Sequence, residues 1–106
     1  MIQETFANRL REARLKAGYS QKALGILAGM DAFSASTRMN RYEKGRHLPD
    51  LDTAHRIAEI LGVPTAYLFC PEPELAELLL ALWAIGPAEL SQVKRYIERK
   101  ALPVSS

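Results

Sequence analysis

The residues best suited to specific chemistry lie in one stretch, Ser34-Ala-Ser-Thr-Arg-Met-Asn-Arg-Tyr-Glu-Lys-Gly45, where three basic side chains stand among hydroxyl and amide groups. Setting Met39 inward and advancing about 100° per residue, as in an α-helix, puts Ala35 and Tyr42 beside it. The opposite face then carries Thr37, Asn40, Arg41 and Lys44 at i, i+3, i+4 and i+7, with Ser34 above them. Short donors and acceptors near the helix start, with cations further along, suit a helix that enters the major groove of double-stranded DNA with its N-terminal part toward the base edges. Arginine can meet guanine O6 and N7 through two hydrogen bonds, and Asn40 can do the same to adenine. Taken alone, such a face is more simply a solvated helix surface. Its neighbourhood has to decide.

Stepping outward, Gly and Pro punctuate the chain at Gly18, Gly29, Gly45-Pro49, Gly62-Pro64, Pro71-Pro73, Gly86-Pro87 and Pro103, and the segments between them have helical length and helical apolar spacing. The chain therefore reads as all-α. The first helix is expected over 6–17, with Thr5 as N-cap, Phe6, Leu10, Ala13 and Ala17 inward, Arg9, Arg11, Glu12 and Arg14 on the other face, and Gly18 as the stop. Ser20 caps a short second helix, with Leu24, Leu27 and Ala28 inward and Gly25 marking a close helix approach. After the opening stretch, a fourth helix capped by Asp50 turns Leu51, Ala54, Ile57, Ala58 and Leu61 inward and ends at Gly62-Val-Pro64, and 65–69 make a fifth of one or two turns.

The segment Ser20-Gln-Lys-Ala-Leu-Gly-Ile-Leu-Ala-Gly29, a turn, and then Arg38-Met-Asn-Arg-Tyr-Glu-Lys-Gly45-Arg-His-Leu-Pro49 resembles the helix-turn-helix of the Cro and lambda-repressor-like (XRE) family of bacterial and phage regulators. The resemblance runs from about Phe6 to Phe69 and includes Leu61-Gly-Val-Pro64 and Tyr67-Leu-Phe69. It implies a five-helix DNA-binding domain over 1–70, followed by a helical extension over 71–106. It also implies roles. Ser36, Thr37 and Arg41 fall at positions that usually read base edges; Gln21, Lys44 and Arg46 fall at positions that meet phosphate, and Arg38 suits either. Arg14 and Glu43 match the pair that ties the first helix to the recognition helix, the arginine also approaching phosphate. Met39 and Tyr42 support that helix from beneath. One departure concerns the turn, which in helix-turn-helix motifs has about three residues. Here Asp31-Ala-Phe-Ser34 is added. Either Ser34 caps the helix after a longer loop, or Asp31 caps a helix longer by one turn. In the second case Phe33 and Ser34 also project toward the groove, with Phe33 able to touch a thymine methyl; otherwise Phe33 is expected to pack between helices.

In the extension, Leu75, Leu78, Leu79, Leu80, Leu82 and Trp83 cover nearly the whole circumference of a helix over 74–85, which must then be buried on several sides. A last helix over 88–100 begins after Pro87, and 104–106 are expected to fray. Because one recognition helix touches few base pairs, two copies are expected. Leu75, Leu78, Leu79, Leu82 and Trp83 are the expected homodimer interface. The family alternatively uses the region of Tyr67 to Phe69, and both final helices could instead fold back on the core.

Bulk composition agrees with an anionic partner near the first part of the chain. Residues 1–70 carry ten basic against seven acidic side chains, whereas 71–106 carry four against five. The single Cys70 excludes an internal disulfide and fits a reducing cytoplasm, where it reads as a small semi-buried hydrophobe. With no membrane-length apolar run and no signal pattern, the protein is expected in the cytoplasm, held at the nucleoid through DNA, without a membrane partner. Little supports an enzyme. His55, Glu59 and Asp52 share a helix face but gain no second histidine or cysteine, His47 lies in the loop after the recognition helix, and no phosphate loop, nucleophile motif, metal site or cofactor site is seen. Two further readings stay open: an antitoxin-type autoregulator whose C-terminal helices hold a toxin protein, and a helix-turn-helix that docks protein without a DNA role.

Overall fold

Where glycine and proline interrupt the apolar periodicity, the chain ends one helix and begins the next. The computed structural model describes residues 1–101; among them are seven α-helices and no strand, and the expectation for 104–106 lies outside the described residues. The helices are α1 Ile2–Ala17, α2 Gln21–Leu27, α3 Ala35–Glu43, α4 Leu51–Leu61, α5 Thr65–Leu68, α6 Pro73–Ala84 and α7 Pro87–Ala101. Gly45 shows how a stop works. Its φ of 71° lets its own N–H reach the Tyr42 carbonyl (3.1 Å) while the Arg46 N–H reaches that of Arg41 (3.0 Å), satisfying carbonyls that a helix end otherwise leaves open.

Phe6, Leu10, Leu24, Met39, Ile57 and Leu68 are the fully buried large side chains, so α1 to α5 all contribute to one core. Phe6 lies at its centre, stacked on Phe69 with ring centroids 5.1 Å apart and edge-on to Tyr42 at 6.4 Å. Caps at two helix starts are as expected: Ser20 Oγ accepts from the Ala23 N–H, and Asp50 Oδ1 accepts from that of Thr53. Hydrogen bonding from Thr53 also holds the Asp50 carboxyl below its ordinary pKa. That contribution is complete above the ordinary carboxylate range and disappears as pH falls through the lowered value.

Several expectations from periodicity fail. α1 begins at Ile2 rather than after Thr5, because nothing in Ile2–Glu4 breaks a helix and Glu4 suits the positive end of its dipole. Leu27 and Leu51 are 57% and 76% exposed, and Ala17 is exposed, since each lies at a helix end that no neighbouring helix covers. Leu61 is only half-buried. Two arginines, among them Arg9 from the outer face expected of the first helix, hold the elements together. Arg9 Nε donates to the Cys70 carbonyl at 2.7 Å with its guanidinium over the Tyr67 ring, and Arg56 Nε donates to the Ala28 carbonyl at the end of α2. Cys70 itself is buried and free.

Gly25 does mark a close approach. A Cβ built there would sit 2.9 Å from the Ala35 Cβ and 3.2 Å from its Cα, so α2 and α3 meet almost backbone to backbone. Gly25→Ala should lower the unfolding free energy by about 1–2 kcal/mol, overpacking outweighing the better helix propensity of alanine. Urea denaturation checks this, and adding Ala35→Gly should relieve the clash.

α6 and α7 differ from the rest. α6 buries Ala76 and rests Leu79 and Leu80 on the core, but Leu75, Leu78 and Trp83 remain 48%, 43% and 61% exposed. No residue of α7 is buried, so the last two helices do not both fold back on the core. The radius of gyration, 16.0 Å, exceeds the about 13 Å expected of a compact domain of this length, as a projecting helical arm requires.

Candidate nucleic-acid interface

α3 is fixed from beneath. Ala35, Met39 and Tyr42 are its buried residues, as the spacing predicts, and they commit its opposite side to solvent. Ser36, Thr37, Arg38, Asn40, Arg41 and Lys44 are all exposed, with Arg46 exposed just past the Gly45 turn. Ser34 is the N-cap residue of α3 but gives it no side-chain cap. Asp31 supplies one turn earlier what Ser34 does not: its Oδ2 accepts from the Phe33 N–H at 3.0 Å, and its carbonyl accepts from the N–H groups of Ser34 and Ala35 at 3.1 and 2.9 Å. The outcome combines the two expected starts. α3 begins at Ala35, and a separate capped turn precedes it. Phe33 does not pack between helices; it is 98% exposed.

The C-terminal half of α3 is held by an ion pair nearly closed to water. Arg14 Nε and Nη2 donate to Glu43 Oε2 and Oε1 at 2.5 and 3.0 Å, and Arg14 Nη1 donates to the Tyr19 carbonyl at 2.8 Å, with the two side chains 10% and 3% exposed. Hydrogen bonding to Glu43 raises the Arg14 guanidinium above its ordinary pKa, although burial acts the other way, so the group is charged at every workable pH. Gln21 joins the pair from the start of α2, its Nε2 donating to Glu43 Oε1 at 3.2 Å and Asn40 Oδ1 at 3.3 Å. Arg14 is thus first a tie between α1 and α3, and the Asn40 amide is oriented by its neighbour.

Arg14, Gln21, Asn40, Glu43 and Lys44 line one open hollow together with Arg11, whose spacing assigns it to the outer face of the first helix and to no site. The signal was there, since Arg11 is one helical turn before Arg14. On the other side of α3, Arg38, Arg41, Tyr42, His47 and Leu48 line a second hollow, and Arg38 Nη2 donates to the Tyr42 hydroxyl at 3.3 Å. His55 lies elsewhere, bonded to Thr65 and 3.6 Å from Glu59 in an open helix pair. Among the described residues no group of His, Cys, Asp and Glu is placed to hold a metal ion, and no helix is long and apolar enough to cross a membrane. Of the expected contact surfaces in the C-terminal part, Leu75, Leu78 and Trp83 are open and Leu82 half-buried, while Leu79 faces the core. Tyr67 and Leu68 are buried within the chain.

Known proteins share this arrangement. Residues 5–68 match the family of helix-turn-helix domains. A prophage-derived HTH-type transcriptional regulator of Bacillus subtilis (strain 168), YonR, is 37% identical over 65 residues, which are 59% of this chain and 55% of that protein, so the chain spans about half the length of that relative. The crystal structure of the transcriptional regulator BswR is 53% identical, with a TM-score of 0.81 over 88% of this chain and 92% of that one. That coverage exceeds what residues 1–70 can supply, so the likeness extends into the helical arm. The chain belongs to the helix-turn-helix family of transcriptional regulators, of the Cro and lambda-repressor-like kind that its motifs resemble.

Proposed function

We propose that this regulator is a sequence-specific repressor that binds a pseudo-palindromic operator in double-stranded DNA as a homodimer. The observation that carries the reading is the outward side of α3, where Ser36, Thr37, Asn40 and Arg41 stand side by side because Ala35, Met39 and Tyr42 are buried. Arg41 reads a guanine through two hydrogen bonds, and Asn40, Ser36 and Thr37 meet neighbouring base edges. Arg38 serves base or backbone. Gln21, Lys44 and Arg46 meet phosphates on either side of the groove, with Arg11 added by its place beside Lys44. Arg14 reaches phosphate only with donors that Glu43 and Tyr19 do not use.

Residues 1–70 are then the reading head and 71–106 the arm through which two copies join, their recognition helices about 34 Å apart on one face of the duplex. Repression is steric, since a dimer on a promoter excludes polymerase. In vitro selection from a random duplex library tests the reading. A two-fold-symmetric motif with half-sites about one helical turn apart is expected, bound with an affinity that falls steeply with salt. Arg41→Ala should cost about 1–3 kcal/mol at one base position per half-site and relax specificity there. Uniform weakening on all sequences would remove Arg41 from base readout. No enrichment at all would turn attention to a protein held by the arm.

A further inference from the structure

Phe33 stands on a turn that is fixed before any ligand arrives. Asp31 holds that turn through its carboxylate on the Phe33 N–H and its carbonyl on the N–H groups of Ser34 and Ala35. The i to i+4 bond from Ala35 makes it one helical turn leading into α3. Phe33 is the residue before the N-cap Ser34, so it stands at the N-terminal end of α3, the end that carries Ser36 and Thr37. The inward places around it belong to Met30 and Ala35, 6% and 0% exposed, while the Phe33 ring is 98% exposed. An aromatic ring open to water on an ordered backbone turn, at the start of a helix whose outward side presents Thr37, Asn40 and Lys44, has a surface to meet outside its own chain. Its surroundings of hydroxyls, amide and ammonium match a nucleic-acid surface rather than an apolar protein-docking patch.

On the reading that α3 enters the major groove, we infer that Phe33 is a specificity-determining residue that packs its ring against the 5-methyl group of a thymine at the base pair facing the start of α3. That methyl is the apolar group the major groove offers, and the exposed side chains of α3 itself, Ser36, Thr37, Arg38, Asn40 and Arg41, are all polar. The ring selects for thymine where the polar side chains select by hydrogen bonding, and it widens the site beyond the pairs met by Arg41.

The test uses the full chain and the duplex enriched by selection, each thymine replaced in turn by deoxyuridine, which lacks only the methyl. Wild type should lose about fourfold in affinity at one thymine per half-site, the value of one buried methyl group. Phe33→Ala should lose affinity for the thymine duplex, lose nothing further on the deoxyuridine duplex, and keep its melting temperature because the ring touches no core. A Phe33→Ala variant that retains the wild-type response to deoxyuridine, or that weakens binding equally on unrelated duplexes, would overturn the inference and leave the DNA-binding reading intact. Failure of the wild type to enrich any sequence would remove that reading and the inference with it.

Discussion

Glu43→Leu lowers the free energy of unfolding by about 3–5 kcal/mol, because it strands the Arg14 guanidinium in a site nearly closed to water. Arg14→Met should cost a similar amount by leaving the Glu43 carboxylate unpaired, 3% exposed beneath α3. Against a total of about 5–15 kcal/mol for an ordinary domain, either loss is a large share. Arg14→Met with Glu43→Leu together should recover much of it, since two apolar groups need no partner. Urea unfolding of the four proteins measures the coupling directly. Single losses below about 1 kcal/mol would mean that the pair behaves as an exposed one. The double variant separates stability from function: it folds, yet Gln21 and Asn40 lose the carboxylate around which they are ordered, so operator affinity should stay low.

On the proposed reading of a homodimer joined through the arm, Leu78→Glu combined with Trp83→Glu should yield a monomer and lower operator affinity by about a hundredfold or more, the loss expected when two linked binding events become separate ones. Both side chains are substantially exposed, at 43% and 61%, so the core should melt as in wild type. Point substitutions are a better probe than removal of the arm, because Ala76, Leu79 and Leu80 cover part of the core. Sedimentation velocity reads the assembly state and half-site binding reads the reading head, which should be unchanged. An unchanged dimer would move the interface elsewhere. Tyr67 and Leu68 are poor candidates for it, since both are already buried within the chain.

Much of the architecture was legible in the residues because its causes are local. Glycine at a positive φ and proline at a first turn end and start helices wherever they occur, so the order of seven elements follows from punctuation and spacing. The facing of α3 was legible for the same reason: one inward stripe of Ala35, Met39 and Tyr42 leaves a single outward side. The turn before it was not, because Asp31 and Ser34 are both good caps and only the folded chain chooses which N–H groups each one meets.

The all-helical order, the outward side chains of α3 and, through its motifs, the family were therefore legible in the residues. Which polar and apolar groups are used internally depends instead on contacts between distant segments. Arg9 and Arg56 look like surface charges along their own helices, but each finds a backbone carbonyl elsewhere in the chain. Leu27, Leu51 and Phe33 look like core, but nothing packs over them. Helical periodicity fixes the direction of a side chain from its own axis, whereas burial depends on whether another segment, distant in sequence, occupies the space in that direction.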